Sequence, residues 1–81
     1  MNKVLVYSTP ECPYCKMVKD YLIENHIDFE EVDISSDKQK LNRMVQRSGQ
    51  MGIPVIDFGD KIIIGYETKE IDLAIKEMRN E

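Results

Sequence analysis

Cys12 and Cys15 are the only cysteines of this chain. They bracket Pro13-Tyr14 where a short β-branched run, Val4-Leu5-Val6-Tyr7, gives way to helical spacing of apolar residues. A chain with this feature has to bring a strand end and a helix start to one place. The first helical position suits Pro13, which lacks the N–H that would go unbonded there and already holds a helical φ. Cys12 then sits at the helix N-terminus, where unpaired backbone N–H groups and the helix dipole stabilise a thiolate. Cys15 lies one turn along, within disulfide reach. Cys12 is therefore expected as the exposed nucleophile, and Cys15 as the sheltered thiol that resolves the mixed disulfide. Lys16 and Lys19 on the same early turns favour the thiolate, whereas Glu11 opposes it.

Other uses of the pair are weaker. A structural cross-link over this spacing removes almost no loop entropy, and reducing compartments keep such thiols open. Two cysteines supply half of a tetrahedral zinc site. The missing ligands would come from His26, a carboxylate or a second copy of the chain, and the sequence offers no second cysteine knuckle. No metal site is expected, and thiol–disulfide exchange is the leading chemistry.

A length of 81 residues allows one domain over 1–81, near the low end of what a hydrophobic core supports without staples. The net charge of −4 and the lack of a basic cluster argue against nucleic acid or an anionic membrane as partner. The apolar run before Ser8-Thr9-Pro10 is too short for a signal peptide or a membrane span, so a cytoplasmic, monomeric protein is expected.

The remaining pattern alternates strands and helices. Lys3 to Ser8 reads as a buried strand, and Pro13 to about Asn25 as a helix with Tyr14, Val18 and Leu22 on one stripe. Ile27 to Ile34 reads as a second strand anchored by Phe29 and Val32. Ser36-Asp37-Lys38-Gln39 resembles a capping box with Ser36 as the cap, opening a helix with Leu41, Met44 and Val45 inward and Gly49 at its end. Ile53 to Phe58 and Lys61 to Ile64 flank Gly59-Asp60, a two-residue hairpin loop with glycine first. A last helix starts near Thr68 and presents Ile71, Ala74, Ile75 and Met78. His26 reads as a solvated turn residue, Asp20-Tyr21 and Glu30-Glu31 as helix and strand surface, and Met51 as a possible partner contact. The order β-α-β-α-β-β-α implies an α/β fold: a parallel pair, an antiparallel hairpin, and a four-stranded mixed sheet flanked by helices.

In Cys12-Pro13-Tyr14-Cys15 after the first strand, Ile53-Pro54 at the third and Gly65 after the fourth, the chain resembles the glutaredoxin family over essentially its whole length. The resemblance implies a minimal thioredoxin fold and a thiol–disulfide oxidoreductase carrying a redox-active Cys12–Cys15 disulfide and no bound cofactor. It also implies a cis bond before Pro54, which places the Ile53 backbone beside the cysteines, where an extended substrate can pair with it. Tyr14, exposed between the cysteines, is expected to pack on that substrate.

Several glutathione-contacting positions depart from the family pattern. Thr9 stands where a lysine is common. Gly65-Tyr66-Glu67-Thr68 replaces a Gly-Gly pair followed by a small residue and Asp, so Tyr66 adds bulk and Glu67 repels a carboxylate. Arg47 and Gln50 remain as candidate contacts to the tripeptide. The departures resemble the small glutaredoxin-like redoxins of anaerobes and the NrdH-redoxins. They imply a carrier that reduces protein disulfides and takes electrons from a thioredoxin-reductase-type flavoprotein. Glutathione as reductant is the first alternative. An iron–sulfur or zinc module using Cys12 and Cys15 is an alternative of another class.

Overall fold

The computed structural model describes residues 4–79. Its elements follow the expected order: β1 (Val4–Ser8), α1 (Pro13–Glu24), β2 (Phe29–Asp33), α2 (Lys38–Ser48), β3 (Val55–Asp57), β4 (Ile62–Ile64) and α3 (Thr68–Arg79). The expected start of the first strand at Lys3 lies outside the described residues. The sheet order is β2-β1-β3-β4, with β1 parallel to β2 and antiparallel to β3, which in turn pairs antiparallel with β4.

Alternation along β1 sets the layers. Val4 and Val6 point with Ile56 and Ile63 toward α1 and α3, and pack on Val18, Leu22, Ile71, Ala74 and Ile75. Tyr7 points the other way with Val55, where α2 lays Met44 over them. One buried face on each side of β1 explains why its sequence is almost continuously apolar.

Local chemistry ends the elements. Gly59 takes φ 98°, and the Phe58 N–H donates to the Lys61 carbonyl at 2.9 Å, closing the two-residue hairpin. Gly49 ends α2 at φ 75°, a left-handed position that glycine adopts without a Cβ penalty. His26 holds φ 59° just past α1 and is exposed, in keeping with a turn residue.

Three local expectations are corrected, the first being the third strand, which spans Val55–Asp57 rather than Ile53 to Phe58 because Pro54 has no N–H to give the ladder. The cap of α2 is Asp37 rather than Ser36: its Oδ1 accepts from the Gln39 N–H at 2.9 Å and the Lys40 N–H at 3.3 Å. A carboxylate at that position gains both the charge-assisted bonds and the helix dipole, which a hydroxyl one residue earlier does not. The second strand is shorter than Ile27 to Ile34, because Asp33 turns the chain by accepting from the Ser35 N–H and Oγ–H.

Candidate functional site

The parallel β1–β2 pair ends with Ser8 opposite Asp33, and the chain then runs through Thr9-Pro10-Glu11 into α1. Cys12 is the N-cap of that helix, with φ −91° and ψ 113°, and Pro13 occupies the first turn. Its Sγ accepts the Cys15 backbone N–H at 3.2 Å, so sulfur fills the role an oxygen usually has at this position. The expected placement at a helix N-terminus is thus realised as a direct hydrogen bond to the sulfur.

The two thiols differ in surroundings. Both are free thiols; Cys12 is partly exposed and Cys15 fully buried. Burial first, and the adjacent Cys12 sulfur second, push the Cys15 thiol up to about 12, against smaller opposing effects of the Thr9 backbone and Lys19. Thr9 contributes main chain to the turn: its carbonyl accepts the Cys12 N–H at 3.4 Å.

Lys19 has a more specific place than an early-turn cation. Its Nζ reaches Glu31 Oε2 at 2.7 Å, and the buried Ser8 Oγ–H donates to the same oxygen at 3.0 Å. The Lys19 hydrogen bond, then the Ser8 one, hold the Glu31 carboxyl below its usual range. Glu31 is therefore more than strand surface: it ties β2 to α1 directly behind the cysteine turn.

The Ile53–Pro54 peptide is cis, as the resemblance implied. Pro54 is fully buried, and its carbonyl accepts the Gly65 N–H at 2.8 Å. Gly65, at φ 85°, turns the chain after β4 and so holds the segment leading to Glu67 against the segment of Ile53. Tyr14, Ile53, Pro54, Gly65, Tyr66 and Glu67 together line an open groove of about 280 Å³. Residues from three separate parts of the sequence meet there. Among the described residues, no hydrogen bond uses the Ile53 backbone.

Tyr66 has support behind it. Its ring meets Tyr21 edge-on, with centroids 6.0 Å apart and planes at 87°, and the Tyr21 hydroxyl donates to Asp72 on α3. Tyr21 also packs against the core, so it is not the plain helix surface its sequence neighbourhood suggested.

Arg47 and Gln50 are committed elsewhere. Arg47 forks onto Asp57, Nε to Oδ2 at 2.8 Å and Nη2 to Oδ1 at 3.0 Å, and also donates to the Gly59 carbonyl at 2.6 Å. Gln50 donates to the Gly52 carbonyl at 2.9 Å, and its Oε1 accepts the Gly52 N–H. It braces the loop before Pro54, and a Cβ on Gly52 would come within 2.6 Å of that oxygen. Nothing in the spacing of Arg47 and Asp57 announces their pairing, which only the fold brings about, whereas Gln50 and Gly52 are near neighbours in the chain. Among the described residues no group of three or more His, Cys, Asp or Glu side chains gathers as a metal site.

A mixed four-stranded sheet, a Cys-x-x-Cys at the start of its first helix and a cis-proline at the start of its third strand define a thioredoxin-fold redox protein. Comparison with known proteins narrows the class. The family model described as Glutaredoxin matches residues 4–63, and the chain belongs to that family of thiol–disulfide oxidoreductases. It is 41% identical over 73 residues to an uncharacterized glutaredoxin-like 8.6 kDa protein in a rubredoxin operon of Clostridium pasteurianum, covering 90% of this chain and 97% of that one. It is 34% identical over 68 residues to the glutaredoxin-like protein NrdH of Lactococcus lactis, covering 84% and 93%. The crystal structure of a glutaredoxin from Archaeoglobus fulgidus superposes with a TM-score of 0.83 at 29% identity, covering 93% of this chain and 87% of that one.

Proposed function

We propose that this protein is a small cytoplasmic, monomeric electron carrier that reduces protein disulfides with Cys12 and Cys15 and is itself reduced by a thioredoxin-reductase-type flavoprotein. The Cys12 thiolate attacks one sulfur of the acceptor disulfide; a new S–S bond forms and the second acceptor sulfur leaves as a thiolate. Cys15 then gives up its proton and attacks Cys12 Sγ, which frees the first acceptor sulfur. The acceptor gains two electrons and two protons, and the carrier is left with the Cys12–Cys15 disulfide for the flavoprotein to reduce.

The buried setting of Cys15 suits the second step. A thiol held protonated by burial does not compete for the incoming disulfide, and it acts once the mixed disulfide lies against it. The unpaired Ile53 backbone supports strand-like docking of an extended acceptor segment.

One observation carries the choice of donor: Tyr66 and Glu67 stand on the wall of the groove beside the dithiol turn. A γ-glutamyl end arriving there meets a supported ring and a carboxylate, while Thr9 offers no cation to a glycine carboxylate. Reduction of the oxidised protein by NADPH with a thioredoxin-reductase flavoprotein, compared with NADPH, glutathione reductase and glutathione, tests the reading. Free thiols are counted by alkylation mass shift. Fast reduction by the flavoprotein alone is expected; fast reduction by glutathione overturns it.

A further inference from the structure

The groove beside the dithiol has an unusual pairing of surfaces. Among the described residues, two tyrosine rings, Tyr14 and Tyr66, share its lining with a single carboxylic acid, Glu67, and with no Lys, Arg or His. Tyr14 is 61% exposed, which leaves its ring open to a ligand in the groove. The Glu67 carbonyl accepts the Ile71 N–H at 2.9 Å, the first turn bond of α3, which puts Glu67 at the cap position of that helix. Its longer side chain is not a favoured cap, and its carboxylate makes no hydrogen bond or ion pair among the described residues. An exposed acid on the groove rim is thus left for something outside the chain.

We propose that this groove reads a cationic side chain, arginine or lysine, carried by the acceptor segment close to its disulfide. The chemistry of the lining selects that class. A guanidinium or ammonium can lie against the face of a tyrosine ring while pairing with a carboxylate, satisfying both features at once. An acidic side chain would face Glu67 with like charge, and an apolar one would cover the carboxylate without pairing it. Tyr66 is fit to serve as a fixed platform, because Tyr21 supports its ring and Gly65 is bonded to Pro54. The cation and the disulfide must be near neighbours, since Tyr14 lies between Cys12 and Cys15 in sequence while lining the groove.

The inference rests on the proposed dithiol exchange but not on the identity of the electron donor. Its test uses the reduced full-length protein and peptide disulfides that differ only in one residue, Arg, Ala or Glu, placed one or two positions to either side of the attacked cysteine. The initial rate of peptide reduction is followed at low salt and at about 1 M salt, where the screening length falls to about 3 Å. At one placement the Arg peptide is expected to react about fivefold faster than the Glu peptide, the order found for a partly exposed cation–π and ion pair together. The ratio shrinks in high salt, and Glu67→Lys reverses it. Equal rates for Arg and Glu peptides at every placement, or a ratio unchanged by Glu67→Lys, overturn the inference while leaving dithiol exchange intact. Failure to reduce any peptide overturns both.

Discussion

The two ends of the molecule treat their polar groups in opposite ways. At the hairpin end, the buried Asp57 carboxylate receives both arms of the Arg47 fork and the Gly59 N–H, and Arg47 also bonds the Gly59 carbonyl. At the dithiol end, Glu67 and the Ile53 backbone have no partner among the described residues, and Tyr14 and Met51 stand mostly exposed. A buried charge must be paired to be tolerated, so the hairpin end is closed in on itself. The dithiol end sits on equally firm elements yet leaves bonding capacity unused. A buried charge is paired where no chemistry is expected, and bonding capacity is left open on the groove beside the dithiol.

Substitutions can separate the two ends. Cys12→Ser is expected to abolish disulfide reduction while leaving the thermal unfolding midpoint almost unmoved. Cys15→Ser should trap the acceptor as a mixed disulfide visible by non-reducing mass spectrometry, and full turnover by that variant would refute the resolving role. Asp57→Ala is the mirror experiment: loss of the charged hydrogen bonds should cost about 2 kcal/mol in urea unfolding, with little change in the exchange rate at a temperature where the variant is folded.

Titration sharpens the contrast with smaller effects. Arg47 first, with the Gly59 N–H helping, holds the Asp57 carboxyl below its usual range. Its contribution to stability is present above the ordinary carboxyl pKa and is lost as the pH falls through the lowered one. The hairpin end thus weakens in acid, and Asp57→Ala should flatten the stability curve there. Cys15 moves the other way, from 9.0 up to about 12. The reduced protein should lose stability as pH rises from 9.0 toward about 12, because the unfolded chain releases that proton first. Cys15→Ser should be flatter over that window than the reduced parent. Smallest of all, Tyr66→Gly with Glu67→Ser should raise the rate of reduction by glutathione several-fold, to order of magnitude; unchanged kinetics would remove these residues from donor selection.

How much of this was legible in the sequence depends on the reach of each interaction. The seven elements, the hairpin loop at Gly59-Asp60 and the stop at Gly49 rest on periodicity or on the local needs of a turn, and short-range pattern finds them. The cap of α2 was misplaced by one residue because Ser36 and Asp37 are both good capping residues and only backbone geometry separates them. Most of the groove residues came from the family resemblance, since Ile53 and Glu67 carry no signal that they share one wall, whereas Tyr14 was legible from its place between the cysteines. Tyr21 with Asp72, Lys19 with Glu31 and Arg47 with Asp57 were not read at all. These pairs join different elements, so no spacing rule applies to them. What the sequence hides is the side-chain wiring that holds the site, more than the site itself.

The hydrogen bond from the Cys15 amide to Cys12 Sγ has a dynamic consequence. Closing the Cys12–Cys15 bond draws the Cys12 sulfur toward the Cys15 side chain and away from the Cys15 amide, which weakens the cap on the first turn of α1. The helix end then becomes an internal recorder of oxidation: the Cys15 amide should exchange its proton for deuterium faster in the oxidised protein than in the reduced one, while amides farther along α1 keep the same protection. A partner protein able to sense the looseness of that turn would distinguish the reduced protein from the oxidised one without touching either sulfur.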